Sequence, residues 1–306
     1  MDTPFPLYAS AEKRMTWTLI YILVMVMMII ALRLAAWWGV RLVSRFFSKS
    51  VTVFEQDRVR KGITELGSRI GSSFPKITKL FKARLSPNRF TGLPLTLIVI
   101  AALYIAVLLG GLVEELLEAD KLVRLDEYIN QQIDLMRTEG MITIFSWITD
   151  LGGSAALVAV SLVTTGLLWA HRRRYIIAPL WLTIIGSQIT TSAGKYVLVR
   201  QRPDFVTEIA TITSSFPSGH ATSAMAVYGF IAYIVARELK TTRQRFEMIY
   251  WTAVLISLIG FSRMLLGLHY ASDIAAGFLV GGLWLLVGFA TAEPKYRKYR
   301  TASSRR

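Results

Sequence analysis

Three polar clusters decide how this chain must fold: KYVLVRQRP at residues 195–203, PSGH at 217–220 and SRMLLGLHYASD at 262–273. Together they contain two of the three histidines in the chain. The segments between the clusters are almost wholly apolar. Apolar segments can bring distant polar clusters together only by packing as a bundle. We therefore expect all three clusters to lie at one end of a helical bundle.

The composition indicates that this bundle spans a membrane. Of the 306 residues, 53% are hydrophobic, whereas soluble proteins are about 45–50% apolar. The excess is concentrated in runs, and a membrane span needs roughly 20 mostly apolar residues. The sequence predicts an all-α polytopic membrane protein with about seven transmembrane helices. We place the spans at about residues 15–43, 92–113, 142–170, 175–194, 218–235, 248–266 and 273–290.

The distribution of charge predicts the orientation of the spans. The formal net charge is +15, and the basic residues are concentrated at 44–91, 171–174, 237–245 and the C-terminal tail. Alternate spans place these segments on one side, which the positive-inside rule makes cytoplasmic. Anionic lipids are the expected partners of such loops, and nucleic acid is not. The acidic stretch 114–139 and the three clusters fall on the other side. In a bacterium this predicts an inner-membrane protein whose site faces the periplasm.

Three regions follow from this arrangement. Residues 1–91 are expected to form an N-terminal anchor span and a basic cytoplasmic loop, residues 92–291 a six-span core, and residues 292–306 a basic cytoplasmic tail. Apolar residues at 77, 80, 81 and 85 fit either a short amphipathic helix on the membrane surface or a solvated linker. The chain has no cysteine, which excludes disulfides and thiolate sites.

The cations of the clusters indicate a phosphate site. Lys195, Arg202 and Arg263 would repel one another unless an anion lay between them, and the planar fork of arginine suits phosphate oxygens. Ser218 and Gly219 lead directly into a helix, and helix N-termini bind phosphate through their backbone N–H groups. These five residues are the predicted phosphate-binding set.

The histidines supply a possible reaction at that phosphate. His269 and Asp273 are four residues apart, so on one helix the carboxylate could orient the imidazole for nucleophilic attack. His220, on another span, could then protonate the leaving oxygen. The predicted chemistry is phosphoryl transfer through a phosphohistidine that water hydrolyses. No cofactor and no metal are expected.

The three clusters resemble the three signature motifs of the type 2 phosphatidic acid phosphatase superfamily. Lys195 to Pro203, Pro217 to His220 and Ser262 to Asp273 match those motifs in order and without departure. The resemblance covers about residues 92–290 and implies a membrane lipid phosphatase with His269 as nucleophile, His220 as acid and Asp273 as orienting residue. Undecaprenyl pyrophosphate, phosphatidylglycerol phosphate, phosphatidate and lipid A phosphate all fit this chemistry as substrates.

Several alternatives stay open from the sequence alone. The acceptor could be a second lipid, which would make the protein a phosphotransferase, or the chain could bind or transport a lipid phosphate without catalysis. His220, His269 and Asp273 could form a metal triad, although the surrounding cations argue against another positive charge. A serine hydrolase at Ser218 would leave three cations unused. Asp273 could also act as a helix cap. Protein partners are not predicted.

Overall fold

The described part of the chain is helical throughout. In a computed structural model, residues 11–54, 84, 90–118, 120–203 and 214–303 are described. A short 3-10 turn lies at Arg174–Ile176. The helices are α1 (Ala11–Phe54), α2 (Leu93–Glu118), α3 (Asp120–Asp134), α4 (Glu139–Asp150), α5 (Ser154–Ala170), α6 (Ile177–Val197), α7 (Gly219–Glu238), α8 (Thr242–Leu265) and α9 (Ala271–Ser303).

The prediction of an all-α protein with seven spans is confirmed. Seven helical segments in the described residues are long and apolar enough to cross a membrane. The third of them is broken, because α4 ends at Asp150 and α5 begins at Ser154 after a Gly152–Gly153 pair. Two boundaries differ clearly from the sequence prediction. Helix α8 starts at 242 and not at 248, because Thr241 and Gln244 form a capping box. Helix α9 continues past 290 to Ser303.

Helix α7 is the centre of the bundle. It contacts α5, α6, α8 and α9, and most of its buried residues are small. The contact with α9 is close because Gly277 and Gly281 face α7. A Cβ atom at Gly277 would lie 2.7 Å from the carbonyl oxygen of Ser218, and one at Gly281 would lie 2.6 Å from that of Thr222. Small residues permit such backbone approach between membrane helices. The N-terminal ends of α7 and α9 are therefore held side by side.

Helix α3 lies across the end of the bundle that carries the polar clusters. One face of α3 packs inward, since Ile133 is buried and Ile129 is half-buried. The same face also carries Asp126, which is 2% exposed. Just after this helix, Arg137 donates from Nε to the carbonyl oxygen of Leu265 at 2.7 Å. Helix α3 is thus tied to the C-terminal end of α8.

The opposite end of the bundle is basic. Arg173, between α5 and α6, pairs with Glu238 at the end of α7. Arg237 pairs with Glu293 of α9 at 3.1 Å. The loops 171–174 and 237–245 therefore lie together, away from the three clusters, as the charge pattern predicted.

The described residues divide into two compact units. Residues between 25 and 100 form one, and the remainder, which contains all three clusters, forms the other. The predicted region boundaries at 91 and 291 stay predictions. The segment 77–85, for which an amphipathic helix was considered, lies outside the described residues except for residue 84.

Candidate active site

The three polar clusters converge at one end of the bundle. His220 lies in the first turn of α7, and His269 lies in the short turn between α8 and α9. The backbone N–H of Ser218 donates to the carbonyl oxygen of Asp273 at 3.0 Å, which joins the second cluster to the third. Gly267 has a φ of 67°, a conformation that glycine adopts readily, and it turns the chain so that His269 points back to the bundle. Lys195 ends α6 on the same side.

Among the described residues, each of the three predicted phosphate-binding cations donates one hydrogen bond that holds it in place. Lys195 Nζ donates to the carbonyl oxygen of Ser214 at 2.9 Å. Arg202 donates from one terminal nitrogen to the carbonyl oxygen of Leu268 at 2.9 Å. Arg263 donates from one terminal nitrogen to Thr149 Oγ1 at 3.0 Å. The acceptors are neutral, so these bonds position the cations without neutralising them, and the carboxylates of Asp273 and Asp150 offset the positive charge only in part.

The positive charges are close enough to act on one another. Electrostatic repulsion by Arg202 and Arg263 acts on Lys195, and the same three cations act on His220. Burial lowers the pKa of Arg202 below its ordinary value, although Asp273 raises it in part. A cluster of half-buried cations with neutral anchors is an anion-binding arrangement.

His269 and Asp273 are adjacent, but their geometry differs from the prediction. Helix α9 begins at Ala271, so His269 precedes the helix and does not share a helical face with Asp273. His269 Nδ1 lies 3.6 Å from Asp273 Oδ2, which is longer than a hydrogen bond. Asp273 Oδ2 instead accepts from the backbone N–H of Tyr270 at 2.9 Å. Asp273 therefore caps the helix from its third position, and it faces the imidazole as well.

Burial makes His269 a neutral imidazole over a wide pH range. The side chain is 3% exposed, and this burial lowers its pKa to about 4, with Arg263 and Arg202 acting in the same direction. The nearby carboxylate of Asp273 opposes the shift without cancelling it. A neutral imidazole has the lone pair that nucleophilic attack requires.

Four buried polar atoms of the site have no hydrogen-bond partner. Among the described residues, the buried side-chain nitrogen and oxygen atoms left without a partner belong to Arg202 (Nε), Ser218 (Oγ), Arg263 (Nε) and His269 (Nδ1). All four residues belong to the set predicted from the sequence. Orphaned buried polar atoms are rare, and a group of them around one point indicates a ligand.

At Ser218 the side chain, and not the backbone N–H, is available to bind an anion. The backbone N–H was expected to face the phosphate, but it donates to Asp273. Ser218 precedes the first residue of α7, and its side chain does not cap that helix. The first backbone N–H groups of α7, those of Gly219, His220 and Ala221, are the ones that lack an intrahelical acceptor and can bind an anion.

A cavity of about 310 Å³ begins beside His220 and extends between α5, α6 and α7. Its walls are mostly apolar, with Leu157, Val158, Ile184 and Val227 among them. Gln188 supplies polarity within it and donates to the hydroxyl of Ser223. The cavity joins the polar site to the apolar part of the spans.

Sequence reasoning missed several residues that build the site. Arg200 donates to the carboxylate of Asp273, and Asp126 and Ser272 accept from Arg200. Thr149 and Ser214 anchor cations. Asp126 carried a usable signal, because a carboxylate on the apolar face of an amphipathic helix needs a partner. Thr149 and Ser214 carried no such signal in the sequence, since threonine and serine are common in membrane helices and loops.

Comparison with known proteins places these observations in a family. The model of the PAP2 superfamily matches residues 176–297, which contain all three clusters. Over 179 residues the chain is 31% identical to phosphatidylglycerophosphatase B of Bacillus subtilis (strain 168), spanning 57% of this chain and 86% of that protein. The chain belongs to the PAP2 superfamily. It is a multi-pass membrane protein of the PAP2 lipid phosphatases.

One solved structure supports the fold of this assignment, and a second aligns less closely. The PAP2-type phosphatidylglycerolphosphate phosphatase from Bacillus subtilis aligns with a TM-score of 0.56 and 26% identity, over 64% of this chain and 96% of the other. LpxE from Aquifex aeolicus aligns with a TM-score of 0.44 and 21% identity, over 54% and 94% of the two chains. The six-span region resembles a membrane PAP2 phosphatase in fold.

Proposed function

We propose that this PAP2 protein hydrolyses the phosphomonoester of a glycerophospholipid, with phosphatidylglycerol phosphate as the first substrate to test, through a phosphohistidine at His269. The observation that supports this most is the group of four orphaned polar atoms on Arg202, Ser218, Arg263 and His269. Two arginine nitrogens and a hydroxyl can donate to phosphate oxygens. The His269 Nδ1 atom belongs to the imidazole that would attack the phosphorus.

The proposed reaction has two steps, and its atoms and electrons balance. With Nδ1 facing Asp273, the other ring nitrogen, Nε2, attacks phosphorus with its lone pair. The bond between phosphorus and the leaving lipid oxygen breaks, and His220, which enters this step as the protonated imidazolium, donates its proton to that oxygen. In the second step a water molecule attacks the phosphohistidine and gives a proton to His220. The phosphorus–nitrogen bond breaks, which releases inorganic phosphate and restores both histidines.

The cations have a defined role in this scheme. Negative charge spreads over the three equatorial oxygens in the transition state, and preorganised donors in a water-poor site stabilise it. Lys195, Arg202 and Arg263 are held in place by neutral acceptors before substrate arrives, so little reorganisation is needed. Gly219 lets the start of α7 approach the phosphate closely. These roles stay proposals.

The substrate class is supported by the cavity and by the relatives. The cavity of about 310 Å³ leads from His220 into the apolar part of the spans, where it can take the part of a lipid next to its phosphate. One relative is a phosphatidylglycerophosphatase, and the aligned structure is a phosphatidylglycerolphosphate phosphatase. We place the site on the periplasmic face of a bacterial inner membrane, with anionic lipids at the basic loops.

We also propose that the reaction needs no metal. Both oxygens of Asp273 already accept hydrogen bonds, Oδ1 from Arg200 and Oδ2 from the backbone of Tyr270. A metal bound by this carboxylate would have to displace them and would sit among three cations. Activity should therefore survive chelation, and loss of activity that one metal restores would favour a triad of His220, His269 and Asp273.

The decisive experiment measures phosphate release by purified protein in mixed micelles. The panel holds phosphatidylglycerol phosphate, phosphatidate, undecaprenyl pyrophosphate and lipid A phosphate, each with and without an acceptor lipid. We expect His269→Ala to abolish release, while His171→Ala, at the basic end of the bundle, leaves it intact. An acid-labile phosphorylated protein should accumulate when quenched early in turnover. Full activity of the His269→Ala protein would overturn the mechanism, and transfer to the acceptor lipid would favour a phosphotransferase.

A further inference from the structure

We propose that Arg200 and Asp126, neither of which is among the predicted catalytic or phosphate-binding residues, are positioning residues that hold the carboxylate of Asp273 and through it set the orientation and proton affinity of His269. This inference rests on the proposed role of His269. It assigns a function to a residue of the surface helix α3, which no motif includes.

Arg200 is the hub of the arrangement. One terminal nitrogen donates to Asp273 Oδ1 at 2.6 Å and to Ser272 Oγ at 2.7 Å, and the other donates to Asp126 Oδ2 at 2.7 Å. The guanidinium also lies over the ring of Tyr270, 4.4 Å from its centroid. Only the planar fork of an arginine can join two carboxylates in this way. Its side chain is 11% exposed, so solvent screens these bonds little.

Asp126 completes the arrangement from α3. Its Oδ1 accepts from the backbone N–H of Ser272 at 3.0 Å, and its Oδ2 accepts from the hydroxyl of Ser272. It therefore caps the first turn of α9 from another helix, next to the turn that carries His269. Asp126 thus fixes both Arg200 and the start of α9.

The effect on Asp273 is to fix which oxygen faces the imidazole. Arg200 occupies Oδ1, and the backbone N–H of Tyr270 together with the imidazole lies on the side of Oδ2. Without Arg200 the carboxylate could rotate, and either oxygen could face His269. A defined contact at Nδ1 selects the tautomer that leaves the other ring nitrogen free.

A stability role alone explains the arrangement poorly. Burying two carboxylates and one guanidinium is costly, and buried ion pairs are often replaceable by apolar residues without loss of stability. Burial by itself would lower the pKa of Arg200, yet attraction to Asp273 and Asp126 holds it above its ordinary value. These contacts hold Asp273 and the residues around it. The unfavourable burial of the three charged groups therefore fixes the orientation of the Asp273 carboxylate.

The charges around His269 make the proposal testable, because removing Arg200 and removing the Asp126 charge should shift the pKa of His269 in opposite directions. Asp273 faces the imidazole from α9, Arg263 from α8 and Arg202 from the loop after α6, and Lys195 and His220 complete the site. Loss of Arg200 would leave the charge of Asp273 less neutralised, so the pKa of His269 would rise. Loss of the Asp126 charge would let Arg200 neutralise Asp273 more fully, so that pKa would fall.

The experiment uses full-length protein with Arg200→Gln and Asp126→Asn. Their matched controls are Arg124→Gln and Glu127→Gln, which make the same charge changes on exposed positions of α3. The pH dependence of kcat/KM reports ionisations of the free enzyme. A directly contacting charge shifts a pKa by about 1–3 units, so a charge one residue further away should shift it by about half a unit to one unit. The shift is read from the acid limb, the low-pH side of the kcat/KM profile on which His269 becomes protonated. We expect an upward shift for Arg200→Gln and a downward shift for Asp126→Asn, with kcat reduced at least tenfold in both.

A second readout does not depend on activity. Nitrogen NMR of protein labelled on histidine reports the tautomer and the titration of each ring, and with three histidines in the chain the signals can be assigned by substitution. His269 should change tautomer population in both variants and in neither control. Arg200→Lys keeps the charge but not the fork, so it should reduce kcat without moving the acid limb.

The outcomes separate the two proposals. If wild-type protein releases phosphate but both variants match their controls in kcat, acid limb and His269 signals, the positioning role is wrong. If His269 is not the nucleophile, His269→Ala stays active, and the NMR change alone still reports on positioning. If Arg200→Gln or Asp126→Asn lowers the melting temperature, the test uses Arg200→Lys instead. An unchanged kcat in Arg200→Lys would contradict the proposal.

Discussion

Replacing Thr149 with valine should slow the enzyme about tenfold, although Thr149 belongs to no motif. Its Oγ1 accepts from Arg263 at 3.0 Å, and within the described residues this is the hydrogen bond that holds the guanidinium. Valine keeps the shape of the side chain and removes the acceptor. Hydrogen bonds to charged groups contribute about 1.5–3 kcal/mol. The lower value applies, because Arg263 keeps its attraction to the phosphate, and about 1.4 kcal/mol corresponds to a factor of ten.

The assay is phosphate release from phosphatidylglycerol phosphate in mixed micelles, with kcat and KM measured separately. We expect KM to rise and kcat to fall, because Arg263 would contact the phosphate in both the ground state and the transition state. Thr143→Val is the matched control, since Thr143 is on the same helix, is exposed, and bonds only its own turn. If Thr149→Val has wild-type kcat and KM while Arg263→Gln is inactive, then the anchoring of Arg263 by α4 has no catalytic role.

Two further predictions concern packing and pH. Gly277→Ala should lower the stability by about 1–3 kcal/mol and reduce activity, because its Cβ would lie 2.7 Å from the carbonyl oxygen of Ser218 and push the ends of α7 and α9 apart. Gly166→Ala is the control, since nothing lies within 4 Å of the added Cβ, and it should lower neither stability nor activity. Equal melting temperatures for the two variants would contradict this prediction. His269 has its pKa lowered by burial from the ordinary value of about 6.5 to about 4, so folding favours the neutral form and this contribution is complete above about pH 6.5 and lost as pH falls toward 4. The stability difference between wild-type protein and His269→Gln, measured by melting temperature, should shrink across that interval, and a constant difference would refute the shift.

The spans and the predicted residues could be found from the sequence because each depends on a strong local signal. Runs of about 20 apolar residues predicted seven spans, and the described residues contain seven helical segments that are long and apolar enough to cross a membrane. The clusters were expected at one end, and the bond between Ser218 and Asp273 joins two of them. Lysine and arginine are uncommon on the non-cytoplasmic side of a membrane protein, so Lys195, Arg202 and Arg263 on that side indicated a function.

The supporting contacts could not be found because they depend on tertiary geometry. The anchors of Lys195 and Arg202 are backbone carbonyl oxygens of Ser214 and Leu268, which every residue has. Sequence spacing also could not place His269 relative to the start of α9. His269 was assumed to lie on the helix with Asp273, whereas the turn at Gly267 leaves it before Ala271.

The helix ends explain why this site tolerates so much positive charge. Helices α7 and α9 begin at the site, and their N-terminal ends add partial positive charge. Helices α6 and α8 finish there, and their C-terminal ends add partial negative charge, next to Lys195 in the last turn of α6 and Arg263 in the last turn of α8. Each of these two cations is thus partly stabilised by its own helix before substrate binds. The start of α9 is compensated by the carboxylates of Asp273 and Asp126. The start of α7 has no side-chain cap from Ser218, so an anion held there satisfies it together with the cations.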